Sequence, residues 1–298
     1  MQFGIAVPTY GRHARRESIL EAALKAEALG YDSIWVPDHI VTGEPFLSRM
    51  GPHWFEPFVT LAYIAGRTRT IKLGLAVLVV PYRHPVFAAK LISTLDRLSD
   101  GRLIVGVGSG GEVATEFEVL GLPHSERGAV TDDYIQAFKA MWSEGFAGYQ
   151  GKHCRIPRLG VEPRPLQQPH PPLWVGGNSR VAIRRAAQHC DGWHPLRLTP
   201  AQLADGVAEL RSMERRFDRA APLTVSLQSE YITITDEPLG EDRLPLNGSP
   251  DQIADDLRRY QAAGLDSIAL RFATARDTAE LVAWMERFAA EIRPAVGA

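Results

Sequence analysis

Apolar and polar positions alternate along the chain in a repeated order. A short apolar run is followed by a longer stretch whose apolar residues return every three or four positions. Phe3 to Val7, Ser33 to Val36, Lys72 to Val80, Leu103 to Val107, Leu173 to Val175, Trp193-His194, Leu223 to Thr235 and Asp266 to Phe272 read as strands. Lys72 to Val80 is almost continuously apolar, the pattern of a strand covered on both faces. The helical stretches are Ser18 to Leu29, Pro57 to Arg67, Pro85 to Leu98, Thr115 to Leu120, Asp132 to Trp142, the segment from Asn178-Ser179 to Cys190, Ala201 to Phe217, Asp251 to Ala263 and Thr278 to Ile292. Gly30 and Gly264 stand where helix C-caps belong, and Pro57 suits a first turn. Two stretches break the order. One is the loop from Ile40 to Glu56; the other runs from Phe146 to Pro172 with six prolines and little periodicity. The second reads as an insertion, about 146–172, over one end of the fold.

Eight strands alternating with helices over 298 residues predict an α/β fold of the (β/α)8 TIM barrel type, one domain over 1–298. A doubly wound open sheet is the alternative. One internal echo supports the barrel: Gly30-Tyr31-Asp32-Ser33-Ile34 returns in type as Gly264-Leu265-Asp266-Ser267-Ile268. Composition adds exclusions. A formal net charge of −2 gives no reason to expect nucleic acid or an anionic membrane as partner. No apolar run approaches the length of a bilayer span, and Met1-Gln2 leads straight into a strand rather than a signal peptide. The two cysteines, Cys154 and Cys190, form no metal or redox pair by spacing and suit a reducing compartment. A soluble, cytoplasmic protein acting on a small molecule is expected.

In such a barrel the chemistry lies at the C-terminal ends of the strands. That places Pro8-Thr9-Tyr10, Asp38-His39, Val79 to His84, Gly108 to Glu112, Gly176 to Ser179, Trp193-His194, Glu230 and Arg271 together. Gly176-Gly177-Asn178-Ser179 joins a strand directly to a helix start, where unpaired amides and the helix dipole favour an anion such as a phosphate. A tight connection with nothing bound reads equally well from this stretch alone. Gly106-Val107-Gly108-Ser109-Gly110-Gly111 matches a dinucleotide fingerprint in spacing, but Glu126-Arg127-Gly128 leads into a helix where an acidic strand end is required. A glycine-lined loop approached by a flat ring fits better, with a plain turn as the alternative. No His-x-His or His-Glu-x-x-His spacing is present, so no metal site is expected. His39 is the best candidate for proton chemistry, although a histidine in a surface loop is the commoner situation.

The ordered segments Ala28 to His39, Arg67 to Gly74, Val80 to Pro85, Leu95 to Arg102, Gly106 to Gly108, Glu116 to Gly121 and Pro172 to Pro195 resemble the bacterial luciferase-like oxidoreductases. Within them the chain is most similar to the branch that uses the deazaflavin coenzyme F-420. The resemblance implies a TIM barrel, a homodimer, and a flavin or deazaflavin across the strand ends. Its phosphate would sit on Gly176, Gly177, Asn178 and Ser179. A non-proline cis peptide, here Ala76–Val77, would bend the third strand under the ring, with Gly108, Ser109 and Gly110 beside it. Asp38 would lie near the ring, and His39 would assist transfer at the reactive carbon. Trp54, Glu112, Trp193 and His194 are the candidate substrate contacts, and Tyr149 is placed to shape the same pocket. Some sugar-phosphate dehydrogenases of the branch carry a glutamate where Gly111 stands, with Glu112 one position later, which puts a glutamate proton donor and a sugar phosphate in doubt. The expected function is hydride transfer between coenzyme F-420 and a small organic substrate. The alternatives are an FMN-dependent monooxygenase using O2 and a non-catalytic flavin-binding protein.

Overall fold

The structure, a computed structural model, describes residues 1–41, 43–44, 46–111, 113–145, 148–159 and 161–297. Eight parallel strands close into a barrel: β1 Gln2–Ala6, β2 Ser33–Val36, β3 Lys72–Val79, β4 Leu103–Gly108, β5 Leu173–Gly176, β6 Gly192–His194, β7 Thr224–Tyr231 and β8 Ser267–Arg271. Each strand pairs with its sequence neighbours, and β8 closes the ring on β1 through Gln2↔Ser267 to Ile5↔Leu270. The helices between them are α1 Arg16–Ala28, α2 Pro57–Ala65, α3 Pro85–Leu98, α4 Arg127–Trp142, α5 Arg180–His189, α6 Pro200–Arg216, α7 Pro250–Ala262 and α8 Thr278–Arg287. The open-sheet alternative is excluded by the closed ring of pairings. Among the described residues no helix is long and apolar enough to cross a membrane.

The main core lies between strands and helices, built from outward-facing residues such as Ile5, Ile34, Leu73, Val105, Val175, Val225 and Leu270. The barrel interior is filled differently. Trp35 and Trp174 stack at 5.5 Å between ring centroids, and His194 stacks on Trp35 at 4.8 Å. Their bulk explains why an inward position of β3 is glycine: a Cβ on Gly74 would lie 2.2 Å from the Trp35 ring. Two indoles thus do the filling that branched side chains usually do in this architecture.

The internal echo has a physical cause. Asp32 Oδ2 accepts from the Phe3 amide at 2.7 Å, and Asp266 Oδ2 from the Val225 amide at 2.8 Å. Asp191 does the same for the Leu173 amide at 2.9 Å. Each aspartate precedes a strand and secures an amide at the first or second residue of the strand before it, so an Asp after the helix end is a device of barrel closure.

Three expectations change. Leu223 to Thr235 is not one strand: β7 stops at Tyr231, and Thr233–Ile234 pairs separately with Asn247–Gly248. The break follows a register shift between Ala269 and Arg271 on the β8 side. Helix α4 starts five residues earlier than its apolar pattern suggests, at Arg127. The proline-rich stretch, described but for residues 146, 147 and 160, reaches the N-terminal end of the barrel, not the end that carries Asp38-His39. It runs along α3 and α4: Asp133 on α4 accepts from the Tyr149 hydroxyl at 2.6 Å, and buried Asp96 on α3 accepts from the Leu166 and Gln167 amides at 2.7 and 3.0 Å. Gln167 also donates to the Leu103 carbonyl, at the N-terminal start of β4. Tyr149 is therefore remote from the mouth.

Candidate active site at the C-terminal mouth

Beyond β2 the chain turns through Pro37, and Asp38 folds inward to complete burial. Its carboxylate accepts from the Val79 amide at 2.9 Å and from both arms of the Arg83 guanidinium at 2.6 and 2.9 Å. Arg83 also reaches Glu56 at 2.9 Å. Burial raises the Asp38 carboxyl, and the Arg83 fork works against that rise. Asp38 is thus a clasp between the ends of β2 and β3. Its bonds run to Val79 and Arg83, while adjacent side chains on extended backbone point apart, so Asp38 and His39 serve different neighbours.

His39 is held by a residue absent from the sequence-based candidates. Its Nδ1 lies 3.0 Å from Oε2 of Glu116, which is fully buried in the short helix Ala114–Val119. The same oxygen accepts from the Tyr82 hydroxyl at 2.7 Å, while Oε1 accepts from the Ile40 and Val41 amides at 2.6 and 3.2 Å. Burial works to raise the Glu116 carboxyl, but the bonds from His39, Tyr82 and Ile40 outweigh it and hold it below the usual carboxylate range. An ionised carboxylate only accepts, so His39 carries its proton on Nδ1. A signal for Glu116 exists in the sequence. Val113, Glu116, Phe117 and Leu120 fall at i, i+3, i+4 and i+7, which puts a carboxylate on an otherwise apolar stripe. Across from His39, Trp54 meets its ring edge-on at 4.5 Å and stacks on Tyr10 at 4.3 Å.

The floor of the mouth is set by β3. Its Ala76–Val77 peptide is cis, as the family resemblance implies. There the β3–β4 register shifts between Leu75 and Leu78. Val77 projects into the barrel, and the neighbouring strands make room for it: a Cβ on Gly108 or Gly176 would lie 2.5 or 2.6 Å from its methyl groups. These glycines therefore accommodate Val77. Ser109 and Gly110 follow at the end of β4, partly exposed and exposed respectively. Glu112 lies outside the described residues.

At the end of β5, Gly177 adopts φ +107° and the chain enters α5 at once. Ser179 caps that helix, its Oγ accepting from the Ala182 amide at 3.2 Å. Asn178 spends both side-chain atoms on Leu196, donating to its carbonyl at 2.8 Å and accepting from its amide at 2.9 Å. Residues 178–181 are exposed, so the first-turn amides of Arg180 and Val181 face an open corner. Because all eight strands are parallel, this corner and His39 belong to one end of the barrel.

Two sequence-based substrate contacts do not reach this mouth. Trp193 points outward into the core, under Gly206 of α6, and donates from Nε1 to the Gly177 carbonyl at 2.9 Å. Alternation along β6 sends it away from the interior. His194 faces inward but lies buried against Trp35, with Nδ1 2.9 Å from the Ser226 hydroxyl; burial pushes its pKa down to about 3, so it is neutral. Thr9 Oγ1 and Trp54 Nε1 are buried without a hydrogen-bond partner among the described residues, and both belong to segments that open at this mouth. Buried polar atoms rarely stay unpaired, which fits a polar guest here. A separate cavity of about 510 Å3 lies at the opposite end, lined by Gln2, Lys72, Arg102, Gln167, Asp191 and Asp266 among others. None of the residues just described lines it.

A family model described as luciferase-like monooxygenase matches residues 1–238. Among solved structures, the monooxygenase RslO1 from Streptomyces bottropensis is 21% identical, with a TM-score of 0.84 over 99% of each chain. An F420-dependent secondary alcohol dehydrogenase, solved with an F420-acetone adduct, is 16% identical, with a TM-score of 0.82 over 100% of this chain and 99% of that one. The oxygenating constituent of 3,6-diketocamphane monooxygenase from Pseudomonas putida, solved with FMN, is 16% identical at a TM-score of 0.77, over 99% and 98%. At these identities the likeness is one of fold.

Proposed function

The chain belongs to the luciferase-like monooxygenase family, and from that premise we propose that it is an oxidoreductase transferring a hydride between coenzyme F-420 and a small organic molecule. The observation that carries this reading is the pairing of His39, fixed by buried Glu116, with an open helix-start corner at the same end of the barrel. Amides of Gly177 to Val181 would hold the cofactor phosphate, with the α5 dipole favouring the negative charge. Asn178 acts indirectly, by pinning the Leu196 loop beside the corner. Ala76, Val77, Gly108, Ser109 and Gly110 would flank the ring, and Asp38 keeps the β3 end in place through the Val79 amide. When bound, the deazaflavin supplies the carbon that gives or takes the hydride. His39, with Nδ1–H directed at Glu116, uses Nε2 to take or give the accompanying proton. Trp54 and Tyr10 wall the space beside it. Residues 1–298 act in this reading as one catalytic domain.

Fluorescence titration of the purified protein with F-420 and with FMN tests the assignment. Saturable F-420 binding and loss of turnover without loss of cofactor affinity in His39→Ala are expected. Tight FMN binding with no response to F-420 would transfer the protein to the flavin monooxygenases. Unchanged turnover in His39→Ala would remove His39 from the chemistry.

A further inference from the structure

We propose that Arg271 and Tyr10 form a receptor for a carboxylate, so that the molecule acted on is an organic acid; the word substrate here rests on the oxidoreductase reading above. Arg271 is the last residue of β8 and is only 7% exposed. Ser267 and Ala269 precede it on the inward face, so strand alternation brings its side chain to the mouth. The guanidinium lies 4.6 Å from the Tyr231 ring centroid and 5.9 Å from that of Tyr10, and it donates to the Tyr10 hydroxyl. Among the described residues no carboxylate forms an ion pair with it. Glu230, the nearest acid along β7, pairs with Arg197 at 3.4 Å.

Three other deeply placed arginines have a carboxylate partner, and the part-buried Arg102 is spent on backbone carbonyls and the Thr68 hydroxyl. Arg83, Arg185 and Arg243 pair with Asp38, Asp132 and Asp256 respectively. A buried charge without a counter-charge is costly, and an anion arriving from outside would relieve that cost. A single uncompensated cation matches a monoanion, and a planar guanidinium beside a hydroxyl matches the two oxygens of a carboxylate. Burial raises the Tyr10 phenol, so it stays protonated and can donate to that carboxylate while accepting from Arg271. The location also connects to the chemistry. Tyr10 stacks on Trp54, and Trp54 meets His39, so an acid anchored at Arg271 has an aromatic wall leading to the imidazole.

The test is calorimetric titration of the full chain, without cofactor, using benzoate, its neutral isostere benzamide, and phenyl phosphate. Benzoate should bind at least about tenfold more tightly than benzamide, and Arg271→Gln should weaken benzoate by about thirtyfold or more with benzamide unchanged. Arg271→Lys should recover part of the loss, and Tyr10→Phe should weaken benzoate alone. Should Arg271→Gln fail to fold, the benzoate–benzamide contrast in the wild type and the Tyr10→Phe titration decide. Equal binding of benzoate and benzamide by the wild type, or undiminished benzoate binding by Arg271→Gln, overturns the proposal. Phenyl phosphate binding tenfold tighter than benzoate through Arg271 overturns the carboxylate assignment. Loss of F-420 affinity in Arg271→Gln with benzoate unaffected gives the residue to the cofactor instead. A protein that binds benzoate through Arg271 yet takes up neither F-420 nor FMN refutes the oxidoreductase reading and leaves the receptor standing. F-420 uptake without a benzoate–benzamide contrast does the reverse.

Discussion

Replacing Glu116 with glutamine changes almost no volume and removes the charge that orders His39. The carboxylate now receives the Ile40 and Val41 amides on Oε1 and the His39 and Tyr82 donors on Oε2. A glutamine that keeps its carbonyl toward Ile40 and Val41 must turn its amide group toward two donors. The Tyr82 hydroxyl can rotate to accept, but His39 can accept only by moving its proton to Nε2. Hydrogen bonds to a charged group are worth about 1.5–3 kcal/mol each, so exchanging two of them for weaker neutral ones costs about 2–4 kcal/mol of stability. The tautomer change removes the proton acceptor, and turnover should fall by about 10²–10⁴ with little change in cofactor affinity. The pH dependence has a definite sign. The folded Glu116 carboxyl titrates below its unfolded value, so it contributes stability above the unfolded carboxylate pKa, lost as pH falls through the folded one. Glu116→Gln should lack that component. Nitrogen NMR of the imidazole, assigned with His39→Gln, reads the tautomer directly without any cofactor. A His39 ring still protonated on Nδ1 in Glu116→Gln, with turnover within a fewfold of wild type, would refute the reasoning.

Arg83→Gln strands the fully buried Asp38 charge and should cost about 3–5 kcal/mol in urea unfolding, with Asp38→Asn in the same chain restoring part of it. Gly74→Ala places a Cβ where the Trp35 ring lies and should cost about 3 kcal/mol. Its combination with Trp35→Leu should be less destabilised than the two single changes added together. His194 is neutral with its pKa pushed down to about 3, while the unfolded chain takes up a proton below about 6.5. Stability should therefore fall by about 4 kcal/mol as pH drops across that window, and His194→Gln should show a shallower fall in thermal melts.

The barrel was legible because its signal is local. Strands such as Lys72–Val79 are covered on both faces and therefore read as unbroken apolar runs, and the Gly-x-Asp-Ser turn marks where a helix hands over to a strand. His39 and the Gly176 corner were legible for the same reason, since each sits at a strand end defined by its own neighbours. What escaped was set by distance along the chain. Glu116 meets His39 across 77 positions and Arg83 meets Asp38 across 45, and no periodicity links residues on different loops. Trp193 was misplaced by a single step of strand alternation, which decides between core and interior. The proline-rich stretch lay outside the reach of pattern altogether, because its position depends on a buried acceptor, Asp96, on another helix.

The central claim is that one end of the barrel gathers both the anion-binding corner and the proton-exchanging histidine. A crystal structure with F-420 bound tests it most directly. The account predicts the cofactor phosphate on the amides of Gly177 to Val181 and the deazaflavin ring between Val77 and His39. Density in the opposite cavity beside Lys72 and Arg102, or a ring out of reach of His39, would contradict it.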